Sequence, residues 1–289
     1  MDVIVVGVDG SRDADVALRW AVQQAQLVGA ELQLVHAYGR GFRANDEDGS
    51  GQHARAEAVL AAIVDHNRDV LDAVTWRAYA QSAGRGSPAR VLMDEAKYAD
   101  LVVVGSRGIG GFGELLLGAT SYRLVSQTPI PVAVVRFGGA NAPHRDAFPK
   151  GLVVGVDASD SGDRALRWAA AEARRRSVPL EVLHARPLPT HPIYAMSSVP
   201  DMDQQRAAIV EHGTEVIDRA LSRTAEALEG VEVVRHALVE PPAQALAAQS
   251  GERVVVVGNR GHSYVGGVLL GSVTHQVLHH AAGPVIVVP

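Results

Sequence analysis

The sequence predicts an α/β protein of two tandem domains, each a doubly wound, five-stranded parallel sheet in the order 3-2-1-4-5 with helices on both faces. Three observations predict it. The chain repeats itself: "VVGVDGSRDADVALRWA" (Val5–Ala21) realigns with "VVGVDASDSGDRALRWA" (Val153–Ala169) at 12 of 17 positions, an offset of 148 residues. Its short apolar runs lack strict alternation, as strands buried on both faces do, and helical patterns separate them. Its 289 residues suit two domains of about 140 residues, each large enough to bury a core.

The repeat spans both halves. "ELQLVHA" (Glu31–Ala37) recurs as "PLEVLHA" (Pro179–Ala185), "VVVGSRG" (Val102–Gly108) as "VVVGNRG" (Val255–Gly261), and "PVAVV" (Pro131–Val135) as "PVIVV" (Pro284–Val288). A period near 150 residues is far longer than the 20–50 of a solenoid unit, so whole domains are duplicated. The predicted domains are 1–137 and 151–289. The segment between them, within "FGGANAPHRDAFPK" (Phe137–Lys150), has Gly and Pro and no apolar period, which marks a linker over 138–150.

Element by element, Val3–Val8 is a β-branched strand. Asp13–Val28 sets Val16, Leu18, Trp20, Ala21, Leu27 and Val28 on one helical face, with Gly29 as its stop. Glu31–Ala37 is a strand, Arg55–Leu71 a helix, and Thr75–Ala80 a weaker strand. Ser87–Tyr98 is a helix opened by Ser-Pro, a favoured start. Leu101–Gly105 is an apolar strand, Gly118–Gln127 a helix and Val132–Arg136 the last strand. The second half follows the same order. Right-handed crossovers leave few topologies for this pattern, and the crevice lies where the connections reverse, at the C-terminal ends of strands 1 and 4.

Composition narrows the function. Net charge is −5 and aromatics are 4%, so the chain has neither a basic field nor stacking platforms for nucleic acid. No cysteine occurs, which removes thiolate chemistry and fits a reducing compartment. "MDVIVVGVDGS" starts with an acid and a short apolar run, unlike a secretory signal, and no run reaches the ~20 residues of a membrane span. A soluble, cytoplasmic protein is expected.

Two segments of each half meet at the predicted crevice. One is the strand 1 exit, "GVDGS" (Gly7–Ser11) and "GVDAS" (Gly155–Ser159). The other is the loop after strand 4, "GSRGIGGFGELLLGAT" (Gly105–Thr120) and "GNRGHSYVGGVLLGSV" (Gly258–Val273). In the first copy Gly108, Gly110 and Gly113 spell the dinucleotide fingerprint G-x-G-x-x-G. The second copy breaks it, because Ser263 stands opposite Gly110. The fingerprint also belongs after a first strand, not a fourth, and is rejected.

What both copies retain is G-x2-G-x9-G: Gly105, Gly108 and Gly118, then Gly258, Gly261 and Gly271. The first two glycines are expected to allow close backbone approach and positive φ. The third opens a helix whose free N–H groups and dipole favour an anion. Ser272 could add a hydroxyl, and Arg107 and Arg260 a charge for phosphate. Asp9 and Asp157 could accept from a ribose or base, or hold Mg2+ through water. The plainer readings are a tight turn for each loop and a helix cap for each Asp-x-Ser.

These residues resemble the universal stress protein family in its tandem form, over nearly the whole chain. "VVGVDGS", "GVDAS", "VHA", "LHA" and above all G-x2-G-x9-G-[ST] carry the resemblance. It implies Rossmann-like domains that pair through their fifth strands, ATP held at the crevice together with Mg2+, and a role in stress response and growth regulation. It places Gly7 and Asp9 along the nucleotide, Ala37 beside adenine, and Gly105, Gly108, Gly118, Ala119 and Thr120 at the phosphates. The counterparts are Gly155, Asp157, Ala185, Gly258, Gly261, Gly271 and Ser272. Ala119 departs from the motif, which asks for Ser or Thr. A hydrogen bond to a charged group contributes about 1.5–3 kcal/mol, so the first site is expected to bind tenfold or more weakly, unless Thr120 or Ser121 substitutes.

The fifth-strand pairing would build a pseudo-dimer inside one chain, with a homodimer and a regulatory protein partner as further expectations. Alternatives are a structural or partner-binding module with vestigial pockets, and a slow ATPase. No nucleophile–base pair supports an enzyme, and no catalytic residue is assigned. His36 and His184 read as packing at equivalent strand ends, the "RW" pairs as packing, and His275, His279 and His280 lack a further metal ligand. The insertions "RANDEDGSGQH" (Arg43–His53) and "RPLPTHPIYAMSSVP" (Arg186–Pro200) flank the crevice as lids or partner loops.

Overall fold

The computed structural model describes residues 2–39, 50–108, 117–136, 151–189, 202–261 and 270–289. The linker over 138–150 and Gly110, Gly113 and Ser263 lie outside them. So do most of the insertion at Arg43–His53 and the larger part of Arg186–Pro200.

The first half runs β1 (Val3–Gly7), α1 (Arg12–Val28), β2 (Glu31–Tyr38), α2 (Ser50–His66), α3 (Arg68–Leu71), β3 (Trp76–Ser82), α4 (Pro88–Glu95), β4 (Leu101–Gly105), α5 (Ala119–Gln127) and β5 (Val132–Val135). The second runs β6 (Gly151–Gly155), α6 (Asp160–Arg176), β7 (Leu180–Ala185), α7 (Met202–Arg223), β8 (Val233–Leu238), α8 (Pro242–Gln249), β9 (Arg253–Gly258), α9 (Ser272–His280) and β10 (Val285–Val288).

Strand order is β3-β2-β1-β4-β5 in the first half and β8-β7-β6-β9-β10 in the second, as expected. The β1, β2, β3, β4 and β5 pairings of the first half are parallel, as are those of β6 with β7 and β9 and of β7 with β8. By contact the chain divides into two compact units, and Ala282–Val287 group with the first. There β10 runs antiparallel to β5, Val285 opposite Val134 and Val287 opposite Val132.

β4 is buried at every position, as a central strand covered on both faces must be. α1 packs on β1 and β4, and α6 on β6 and β9. Their buried stripes hold Ala14, Ala17, Leu18 and Ala21, and Ala165, Leu166, Ala169 and Ala170. Small residues let these helices approach the sheet closely.

Two elements differ from expectation. The helix expected over Arg55–Leu71 is two helices, split at Asn67, whose φ of −109° and ψ of 15° leave the helical region. Its buried amide donates to Asp15 Oδ1 (2.8 Å) and the Ile63 carbonyl (3.1 Å), tying the break to α1. The helix of Ser87–Tyr98 ends at Glu95, and its last turn, Ala96–Tyr98, tightens to a 3-10 helix, a common way to finish a helix. Among the described residues no helix is long and apolar enough to cross a membrane.

Candidate nucleotide site

Asp9 and Asp157 leave the ends of β1 and β6 and fold back on their own chain. Asp9 Oδ1 accepts the Ser11 N–H at 2.9 Å, and Asp157 Oδ1 accepts the Ser159 N–H at 3.1 Å. Each serine then caps its helix: Ser11 Oγ accepts from the Ala14 N–H (3.3 Å) and Ser159 Oγ from the Gly162 N–H (3.0 Å). The plainer reading of Asp-x-Ser as a helix cap is therefore correct for each serine, and one carboxylate oxygen of each Asp is committed to holding it. The other oxygen lies against the loop after strand 4. A Cβ built on Gly108 would collide with Asp9 Oδ2, and one on Gly261 would stand 2.6 Å from Asp157 Oδ2.

This corrects the expected role of the loop glycines. Among the described glycines φ is positive only at Gly10, Gly29, Gly84 and Gly230, so Gly105 and Gly108 are not chosen for a left-handed backbone. Gly105 makes room for α1, since an added Cβ would sit 2.7 Å from the Asp13 carbonyl carbon and 2.8 Å from the Ala14 nitrogen. Gly258 likewise would meet the Ser161 carbonyl carbon at 2.9 Å. Gly7 and Gly155 press on Leu92 and Leu246, with Cβ to Cδ1 separations of 2.8 and 2.9 Å.

Gly118 and Gly271 do open helices. Each is the N-cap of its helix, and neither carries a side-chain cap, so the first-turn amides keep the orphan donors of a helix start. The Gly118 N–H donates to the Ser106 carbonyl (2.7 Å) and the Gly271 N–H to the Asn259 carbonyl (2.9 Å), which folds each helix start back onto its strand end. The Ser121 hydroxyl donates to the Gly105 carbonyl and Thr274 to the Gly258 carbonyl, both at 2.7 Å. Ser121 is thus committed to the backbone. Thr120 remains as the hydroxyl of that turn at the first cavity, where the second has Ser272.

Two cavities result, one per half. The first, of about 420 Å³, is lined by Gly7, Asp9, Ala37, Gly105, Arg107, Gly108, Gly118, Ala119 and Thr120 among others. The second, of about 490 Å³, is lined by Gly155, Asp157, Ala185, Gly258, Arg260, Gly261, Gly271 and Ser272 among others. All the site residues named from sequence come together in these two places. Both volumes fall within the ~300–1,000 Å³ of small-molecule and cofactor sites.

Sequence reasoning missed the walls. Pro88 and Leu92 of α4 line the first cavity and Pro242 and Leu246 of α8 the second. The signal was available: "PARVL" and "PAQAL" set Pro and Leu four apart on one helical face. His36 and His184 hold the strand exits, their Nδ1–H groups donating to the carbonyls of Val8 and Val156 at 2.8 Å. A carbonyl can only accept, so the proton is on Nδ1. Among the described residues no cluster of three metal-ligating side chains occurs, and the ring centroids of His275 and His279 lie 4.4 Å apart with the rings tilted by 38°.

The model of the universal stress protein family matches residues 1–136 and again 150–289. A universal stress protein of Mycolicibacterium smegmatis is 32% identical over 292 residues, covering 99% of this chain and 96% of the relative. One of Mycobacterium tuberculosis is 32% identical over 298 residues, covering 98% and 95%. In fold, the chain is similar to the crystal structure of a universal stress protein from Archaeoglobus fulgidus, with a TM-score of 0.69 at 19% identity over 99% of this chain and 97% of that one. The chain belongs to the universal stress protein family, whose domain it carries twice in tandem.

Proposed function

We propose that the chain binds ATP in each half and acts as a nucleotide-dependent regulator in stress response or growth control, without committed turnover. The observation that carries this reading is the convergence of a phosphate-type loop, an uncapped helix start and a strand-end carboxylate on one cavity, twice.

The parts fit a nucleotide chemically. Orphan amides at the starts of α5 and α9, with Arg107 and Arg260 beside them, suit polyphosphate oxygens. Apolar walls from Leu92, Leu246 and the strand-end Val35 and Leu183 suit a base, with Ala37 and Ala185 small enough to let it lie flat. Asp9 and Asp157 suit a ribose hydroxyl or a water of Mg2+, which would otherwise be carried on the phosphates. His184 and the strand-end carboxylates each have an atom committed to the backbone, an arrangement for holding a ligand more than for moving protons.

Ligand that binds only the folded form stabilises it by about 2.7 kcal/mol at 100 times Kd. For units of this size roughly 2–4 °C accompany each kcal/mol, so saturating ATP with Mg2+ should raise Tm by about 5–10 °C. A melt unchanged by millimolar ATP with Mg2+ would refute the reading and favour a partner-binding module with vestigial pockets.

A further inference from the structure

Between α1 and the α2–α3 pair the first half holds a further crevice, of about 1150 Å³, larger than either candidate nucleotide cavity. Its walls are largely apolar: Val16 and Val22 from α1, Val59, Ala62 and Ile63 from α2, and Val70 from α3. Among the described residues it shares only Val8 and Ala14 with the first nucleotide cavity, which is walled by Pro88 and Leu92 of α4.

The second half shows what leaves this crevice open. Asn67 and Thr224 stand alike, each the N-cap of the short helix that follows α2 or α7, the second being a 3-10 helix over Ala225–Leu228. Counting back from them, Val59 matches Val216, Ile63 matches Ala220 and His66 matches Arg223. Val216 is 4% exposed and Ala220 fully buried, whereas Val59 is 39% exposed. Clamps hold the second arrangement closed. Arg223 forks onto Asp163 at 2.5 and 2.8 Å, and Arg174 donates to the carbonyls of Ala227 and Glu229 at 2.8 and 2.7 Å. In the first half His66 stands 3.8 Å from Asp15, and Gln26 takes the place of Arg174.

Charges along the crevice are matched by its own side chains. Asp15 faces Arg19 at 3.6 Å and His66 at 3.8 Å, Arg19 reaches Asp69 at 3.4 Å, and Arg12 has an interaction of its own. What is left unmatched is an acceptor. Asn67, 1% exposed, lines the crevice with its amide N–H groups spent on Asp15 and the Ile63 carbonyl. Its Oδ1 is buried and has no hydrogen-bond partner among the described residues, and the same holds for Oε1 of Gln23, another lining residue. A buried acceptor without a donor is costly, and an O–H brought into the crevice removes that cost.

We propose that this crevice is a further ligand site, for an uncharged, largely apolar molecule that carries a hydroxyl group. The apolar part lies against Val59 and Ile63, and the hydroxyl donates to Asn67 Oδ1.

The probe is 2-naphthol, with 2-methoxynaphthalene as its counterpart lacking a donor. Each is titrated into the full chain with and without saturating ATP and Mg2+, and followed by the methyl NMR signals of Val59 and Ile63. Naphthol should move both sets of signals saturably in either condition, and bind about tenfold more tightly than the ether. Asn67→Thr copies Thr224, whose hydroxyl donates to the carbonyl four residues back. It should bring naphthol down to the affinity of the ether and leave the ether unmoved. Ala62→Trp, at an exposed position, should fill the crevice and abolish both. Equal binding of the two probes to the wild type would overturn the proposal. So would an Asn67→Thr that weakens both alike, because that is the mark of altered packing only. Unmoved Val59 and Ile63 signals would mean that solvent alone enters the crevice, whatever ATP does, a result separate from any failure of the nucleotide reading.

Discussion

Replacing Gly105 by alanine adds one methyl group where β4 meets the first turn of α1. Built on the native backbone, its Cβ falls 2.7 Å from the Asp13 carbonyl carbon, 2.8 Å from the Ala14 nitrogen and 2.9 Å from Asp13 Cβ. Ordinary contacts begin near 3.4 Å, so the helix must retreat by roughly 0.7 Å, and two of the three obstacles are backbone. α1 buries Ala14, Ala17, Leu18 and Trp20, and close-packed interiors pass such a shift on to their neighbours. Overpacking costs about 1–3 kcal/mol, offset in part by the ~0.8 kcal/mol of a buried methyl and by the lower chain entropy of alanine. The expected loss is about 1–2 kcal/mol, or roughly 2–8 °C in Tm, measured by urea and thermal denaturation without nucleotide. Gly108→Ala is the control. Its Cβ meets the end of the Asp9 side chain, which can rotate, so stability should fall by less than about 1 kcal/mol while ATP binding weakens. If Gly105→Ala leaves stability intact and lowers only ATP affinity, the glycine serves the ligand and the packing argument is wrong.

Two further predictions concern the second half. Ala158 has φ of +65°, in the left-handed region where a non-glycine residue is uncommon. Gly10 stands at the equivalent place with φ of +82°, so Ala158→Gly should stabilise the protein by about 1 kcal/mol, read from the urea midpoint. Glu172 and Arg176 are buried together, 2.7 Å apart, with side chains 0% and 3% exposed. Glu172→Ala should cost about 3 kcal/mol by leaving a buried guanidinium without that carboxylate. The pair Glu172→Gln with Arg176→Val copies Gln24 and Val28 of the first half and should stay within about 1 kcal/mol of wild type. A double-mutant cycle measures the coupling, and additivity would disprove it.

The duplication made most of the site legible. Comparing Gly258–Val273 with Gly105–Thr120 separated the glycines that recur from those that do not, and every recurring residue among the described ones lines a cavity. The roles of individual glycines were not legible, because a loop glycine is compatible with positive φ, with a ligand or with a packed neighbour. Only the position of Asp13 and Ala14 beside Gly105 distinguishes these. The break at Asn67 was hidden for a similar reason. Its cause is Asp15, 52 residues away, and helical periodicity carries no information at that range. Asp13 is an acid in a first helical turn, where the helix dipole favours it, and nothing local in the sequence shows that it reaches Ser106 and Arg107.

The amino-acid sequence by itself determined the class of fold, the number of domains, the strand order and the residues gathered at each crevice. Those depend on hydrophobic period, chain reversal and connection handedness, which are local or topological. Tertiary structure alone decided what each residue does there: which glycine yields space to a helix, which carboxylate oxygen holds the capping serine and which faces the loop, and that a buried Asp13 lies under Arg107. Such roles depend on distances between residues remote in the chain, and only the packed arrangement of sheet and helices sets those distances.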